Sequence, residues 1–204
     1  MQALAQQYPA TIEAEFDSAA WTPLAYTDPE SGGDIVLMER PGEGSLTAVM
    51  ARVTIQGADA VRVHGVLNTS DPALRKTYDK EMSEMAVVEV VDEDTSVVHF
   101  IYNSPSMVVS KRDFVVLRGN STTEGGVRKH WGHSVPDDTV CPTKGVVRGF
   151  SRTMYRISPK GPESCTVEYV QMVDPRGWIP TALVNSQKTG VGARLAGLRA
   201  VFKK

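Results

Sequence analysis

Cysteine is scarce in this chain: Cys141 and Cys165 are the only two in 204 residues. That excludes a disulfide framework, and two isolated thiols fit a reducing compartment. A run of about 18 apolar residues, the least a membrane-spanning helix needs, is missing. So is the basic-then-apolar opening of a secretory signal. The expected location is therefore cytoplasmic, where the sequons at Asn68 and Asn120 stay idle. Charge of one sign is lacking too. A formal net charge of -2 and a pI near 6.1 leave no basic surface for nucleic acid. Neither a Gly-x-Ser-x-Gly elbow nor a Gly-x-x-x-x-Gly-Lys phosphate loop occurs. Among the histidines (His64, His99, His130, His133), His130 and His133 fall on opposite faces of a strand. The cysteines lie outside tight ligand spacing, so neither a metal nor a cofactor is expected. The acidic run Glu89, Asp92, Glu93, Asp94 reads as a solvated turn.

What is present is a globular composition, 41% apolar, long enough to bury a sizeable core. No internal repeat or low-complexity segment divides the chain, so one domain over residues 1–204 is expected. Leu4, Tyr8, Ile12 and Phe16 share a helical face, with a helix that starts or bends at Pro9. Segments 35–38, 46–55 and 60–67 read as three strands. Asp71 and Pro72 then cap and open a short helix towards Met82. Further strands are expected at 86–91, 96–102, 112–119, 127–135, 146–157 and 166–173, joined by short connections as in an antiparallel meander. After Pro180 a final helix carries Leu183, Val184, Val191, Leu195, Leu198 and Phe202 as an apolar stripe. Gly190, Gly192 and Gly197 each weaken it by roughly 1 kcal/mol relative to Ala. This is an α+β order. The sheet either curls around the last helix or forms an ordinary core with no cavity.

Three motifs carry a resemblance. Ser110-Lys111-Arg112-Asp113-Phe114-Val115, Lys144-Gly145-Val146-Val147-Arg148-Gly149-Phe150 and Asp174-Pro175-Arg176-Gly177-Trp178-Ile179-Pro180 are similar, in order and spacing, to signatures of START domains, the lipid-transfer domains related to the steroidogenic acute regulatory protein. The resemblance spans roughly residues 10–204. It implies a helix-grip fold: a curved antiparallel sheet wrapped around the long C-terminal helix, with an internal hydrophobic tunnel for one lipid. It also implies a lid made of that helix and the 103–111 loop, in which Met107, Val108 and Val109 are expected to meet a membrane transiently.

Arg112, Phe114, Val116 and Arg118 alternate onto one sheet face. In sterol-carrying relatives the position resembling Arg118 helps hold the ligand's polar end. The carboxylate of the preceding strand is replaced here by His99 or Phe100, which leaves room for an anionic headgroup as the counter-charge. Arg112 and Asp113 diverge from one strand and read as fold-holding contacts. Trp131, Tyr155, Tyr169 and Phe150 either line the tunnel or pack outside it. The expected ligand set is Arg118, His99, Phe100, Phe114, Val116, Trp131, Tyr155, Tyr169, Leu183, Leu195 and Leu198.

The expected activity is not catalytic. A monomeric carrier takes up a sterol, phospholipid or fatty acid, and each buried methylene gains about 0.8 kcal/mol, so a dozen supply on the order of 10 kcal/mol. The alternatives are a cyclase-like helix-grip enzyme, for which His99 is the candidate acid or base, and a lipid sensor or tether.

Overall fold

Strand propensity is concentrated in the runs that become the sheet, and capping chemistry sets the helices between them. The computed structural model describes residues 1–204 except 17–19, 30–32, 42–46, 105, 136–139, 142–143, 180 and 204, and except the side chains of 15, 47 and 181–186. In chain order the elements are α1 (Gln2–Phe16), β1 (Thr22–Leu24), β2 (Val36–Pro41), β3 (Thr47–Gln56), α2 (Ala60–Leu67) and α3 (Pro72–Tyr78), then β4 (Met82–Val90), β5 (Thr95–Tyr102), β6 (Arg112–Thr122) and β7 (Arg128–Ser134). β8 (Val147–Arg148), β9 (Phe150–Gly161), β10 (Ser164–Asp174) and α4 (Thr181–Val201) complete the chain.

The strands form one sheet in the order β1-β2-β3-β10-β9-β7-β6-β5-β4, and β8 adds to β6 in parallel. All other pairings are antiparallel. Both faces are covered. α1 packs Tyr8, Ile12 and Phe16 against Met50, Leu117, Trp131 and Met154 on the outer face. α4 packs Val191, Leu195 and Leu198 against Ala51, Ile55, Tyr155 and Tyr169 on the inner one. The neighbours Met154 and Tyr155 therefore face opposite ways, as strand geometry requires. This sheet, gripped around a C-terminal helix, is the helix-grip architecture that the three motifs imply.

Two glycines of α4 have a packing reason. A Cβ on Gly192 would sit 2.6 Å from the Tyr26 ring, and one on Gly197 would sit 3.0 Å from the Tyr78 main chain. The cost in helix propensity is offset by the close approach of α4 to the 25–28 segment and to α3.

Three expectations change. Residues 60–67 form a helix, not a strand. Asp59 caps it by accepting from the Arg62 N–H at 2.8 Å, and Ala60, Val63 and Leu67 bury one helical face. The single strand expected over 146–157 is broken at Gly149, where a Cβ would lie 2.4 Å from the Phe114 ring. α1 runs through Pro9 from Gln2, so the helix does not start there.

Candidate functional site

Alternation along β6 sends Arg112, Phe114, Val116 and Arg118 to the inner face, and all four border a cavity of about 140 Å3. Register places Phe100 opposite Phe114 and Tyr155 opposite Tyr169, so β5, β9 and β10 continue the same wall. Gln187 and Arg194 of α4 close it from above, and Pro175 and Ile179 border the segment that leads into α4. The space has room for on the order of ten water molecules.

Apolar and charged side chains share the wall: Arg75 lies 5.3 Å from the Phe100 ring and Arg194 5.7 Å from the Tyr169 ring. Arg75 of α3 donates from Nε to Asp79 Oδ2 at 3.4 Å, and Arg194 Nη2 donates to Asp79 Oδ1 at 3.0 Å. The Tyr102 hydroxyl adds a third donor to that carboxylate at 3.0 Å. Burial works to raise the Asp79 pKa, but Arg194 and Arg75 outweigh it and hold the carboxyl below its usual range. Arg194 also donates to Tyr169 Oη at 2.8 Å and Gln171 Oε1 at 3.0 Å. Arg118, 6% exposed, finds only neutral acceptors among the described residues: Ser96 Oγ at 3.0 Å, the Thr69 carbonyl at 3.0 Å and Ser70 Oγ at 2.8 Å. Burial, with the charge of Arg75 beside it, pushes its pKa down to about 10, which keeps it protonated at neutral pH.

Behind Arg118, His130 is fully enclosed and held neutral by burial, its pKa well below the usual histidine value. Its Nδ1 lies 2.9 Å from Asn120 Oδ1, which His64 Nε2 approaches at 3.0 Å. The Asn120 amide then donates to Asn68 Oδ1 at 3.1 Å, so the two sequon asparagines are bound to each other.

Of the residues expected to meet a ligand, Arg118, Phe100, Phe114, Val116, Tyr155 and Tyr169 converge on the cavity. Trp131 borders it, but its ring turns to the outer face, over Gly119 and against the α1 cluster. His99 is not at the cavity. It sits on the outer face with Nε2 2.9 Å from Asp113 Oδ2, and Arg148 grips the same carboxylate with two bonds of 3.0 Å. Phe100, the next residue, therefore takes the inward position. Leu195 and Leu198 are fully buried in the core beside the cavity rather than in its wall. The Leu183 side chain lies outside the described residues.

Sequence reasoning passed over Arg75, Arg194 and His130. The signal for Arg194 was present, because it lies three residues after Val191 and four before Leu198, on the apolar stripe of α4. Arg75 and Asp79, four apart, read equally well as an exposed helix pair.

Arg112 ties two segments to β6. It donates to the carbonyls of Ser110 at 2.5 Å, Pro175 at 3.2 Å and Arg176 at 3.0 Å, tying the 103–111 loop and the turn before α4 to β6. Met107 and Val108 stand free in solvent on that loop. Val109 does not join them: it is 4% exposed and borders the cavity. Trp178, on the turn that Arg112 holds, is 72% exposed, a third large apolar side chain in solvent on these two segments. Among the described residues no group of histidine, cysteine and acidic side chains could hold a metal ion, and no helix is long and apolar enough to cross a membrane.

An antiparallel sheet, a C-terminal helix packed on its inner face and a cavity between them define a helix-grip domain. The family model for the START domain matches residues 14–197, and the chain belongs to that family. Over 142 residues it is 28% identical to START domain-containing protein 10 of mouse and of human, a match covering 69% of this chain and 47% of each relative. It thus spans about half the length of those curated relatives. In fold it is similar to human StAR-related lipid transfer protein 5, with TM-score 0.80, 20% identity, and coverage of 98% and 97% of the two chains. A more distant likeness is to the Zhui aromatase/cyclase of a Streptomyces species, with TM-score 0.51, 11% identity, and coverage of 77% and 93%.

Proposed function

We propose that this domain takes one lipid into the cavity and carries it between membranes, loading and unloading while its mouth rests on a bilayer. The observation that carries the reading is the cavity itself: a space inside a START fold whose lining is divided between hydrocarbon and buried, protonated arginine. An amphipathic ligand fits that division. The names of the relatives point the same way, since StAR-related lipid transfer protein 5 shares the fold over nearly the whole chain. Met107, Val108 and Trp178 supply the bilayer contact, because apolar side chains of this size partition into the interface. Their position beside the Arg112 latch joins docking to opening. The work is done in the cytosol by a single chain, where Cys141 and Cys165 stay reduced.

The chamber-enzyme alternative relied on His99 acting on a bound ligand, and His99 faces away from the cavity, paired with Asp113. His130 is the histidine at the wall, and its neighbours are Asn120, Arg118 and Arg75 rather than a carboxylate.

The test is transfer of fluorescent lipids between donor and acceptor vesicles. The domain should accelerate transfer in proportion to its concentration. Cross-linking α4 to the 103–111 loop through a pair of introduced cysteines should abolish transfer and leave the melting temperature intact. Undiminished transfer by the cross-linked protein would refute the gating.

A further inference from the structure

The charges around the cavity do not cancel. Arg75, Arg112, Arg118 and Arg194 border it, Glu81 stands at its solvent-exposed edge, and Asp79 lies between Arg75 and Arg194. Among the described residues, four guanidiniums against two carboxylates leave an excess of two positive charges. Arg112 is absorbed by the three carbonyls at the mouth. Among the described residues, Arg118 has three neutral oxygens and no anion. A buried cation without an anion is a costly arrangement, and a ligand that brought one would relieve it.

A second observation points the same way independently. Two polar atoms in the wall are buried with no hydrogen-bond partner among the described residues: Tyr155 Oη and Arg194 Nε. Tyr155 is 3% exposed, its ring stacked on Tyr169 at 4.1 Å, and burial holds its hydroxyl protonated well above pH 10. Buried donors are normally satisfied, so idle ones in a cavity wall call for a ligand rich in acceptors. A phenol and guanidiniums together suit the oxygens of a carboxylate or phosphate. A sterol offers one uncharged hydroxyl. A zwitterionic headgroup would bring its own cation into a space that is already positive. The volume, room for about ten waters, is on the scale of one alkyl chain rather than two.

Building on the carrier reading, we propose that the cavity selects single-chain acidic lipids, with the carboxylate or phosphate held by Arg118 and Tyr155.

The test is calorimetric titration of the delipidated protein with sodium oleate, 1-oleoyl lysophosphatidic acid, cholesterol and 1-oleoyl lysophosphatidylcholine. At least one of the two acidic lipids should bind ten-fold or more tightly than the neutral and the zwitterionic one, and the stronger of the two identifies the headgroup as carboxylate or phosphate. Arg118→Met should lower the affinity for that acidic lipid at least ten-fold. Tyr155→Phe removes a hydroxyl that makes no bond within the protein, so it should keep the melting temperature and still weaken the acidic lipid several-fold. If Arg118→Met does not fold, Tyr155→Phe alone decides. Cholesterol or lysophosphatidylcholine binding as tightly as the acidic lipids would overturn the charge selection while leaving the carrier reading in place. So would unchanged acidic-lipid affinity in Tyr155→Phe. Absence of binding by all four lipids would overturn both.

Discussion

Replacing Arg112 by Met tests the latch at the mouth. The substitution keeps an unbranched side chain and removes the donors to the Ser110, Pro175 and Arg176 carbonyls. A hydrogen bond from a charged donor contributes about 1.5–3 kcal/mol. Ser110 and Arg176 are exposed residues whose carbonyls can turn to water, so each bond lost costs less than that range, about 1 kcal/mol, and the three cost about 3 kcal/mol in all. For a domain of this size a loss of 1 kcal/mol lowers the melting temperature by about 2–4 °C, so the expected drop is about 6–12 °C. The local effect should be sharper. Amide exchange should quicken in the 103–111 loop and the 175–179 turn, while the paired amides of β3 and β10 change only as global stability does. Vesicle transfer should quicken as well, because the mouth opens more readily. A melting temperature within 1–2 °C of the parent, with exchange in both segments unchanged, would refute the latch.

The remaining expectations follow from the outer face, the surface and the titrating groups. His99→Ala should leave lipid binding unchanged and cost about 1 kcal/mol of stability, since Arg148 still grips Asp113; abolished binding would place His99 in the site after all. The triple change Met107→Ser, Val108→Ser, Trp178→Ser should lower vesicle transfer about ten-fold with melting temperature and affinity in solution unchanged, as these side chains are exposed; equal transfer would exclude them from docking. His64, His130 and His133 have pKa values lowered mainly by burial, so the unfolded chain binds their protons first and stability should fall as pH drops below about 6.5. Asp79 and Glu168 are likewise lowered, because arginine partners outweigh the effect of burial. Their contribution is present above about pH 4.5 and lost as pH falls further. Melting temperature followed from pH 8 to pH 3 should therefore decline in two stages, and His130→Gln should flatten the first; a flat profile between pH 7 and pH 5 would contradict the neutral histidines.

Much of the fold was legible because its signals are local. Asp71 and Pro72 open α3 where capping rules put them, and the alternation of β6 placed Arg118 on one face with Phe114 and Val116. Residues 60–67 failed because Val61, Val63 and Gly65 alternate while Ala60, Val63 and Leu67 also keep helical spacing. The Asp59 cap broke the tie in favour of the helix, leaving Val61 exposed. The polar lining of the cavity was harder to read because one of its pairs is distant in sequence: Arg194 reaches Asp79 across 115 positions, and no local pattern reports that contact. The inward position on β5 turned on a single residue, and the pairing of Phe100 with Phe114 settled it against His99.

The central claim is that a single lipid occupies the space between sheet and α4. Native mass spectrometry of the protein after incubation with vesicles measures this directly, with Thr153→Trp, which fills the cavity from β9, as the comparison. The parent should carry one lipid adduct per chain and the filled variant none. A parent without an adduct, or a filled variant that carries the same one, would contradict it.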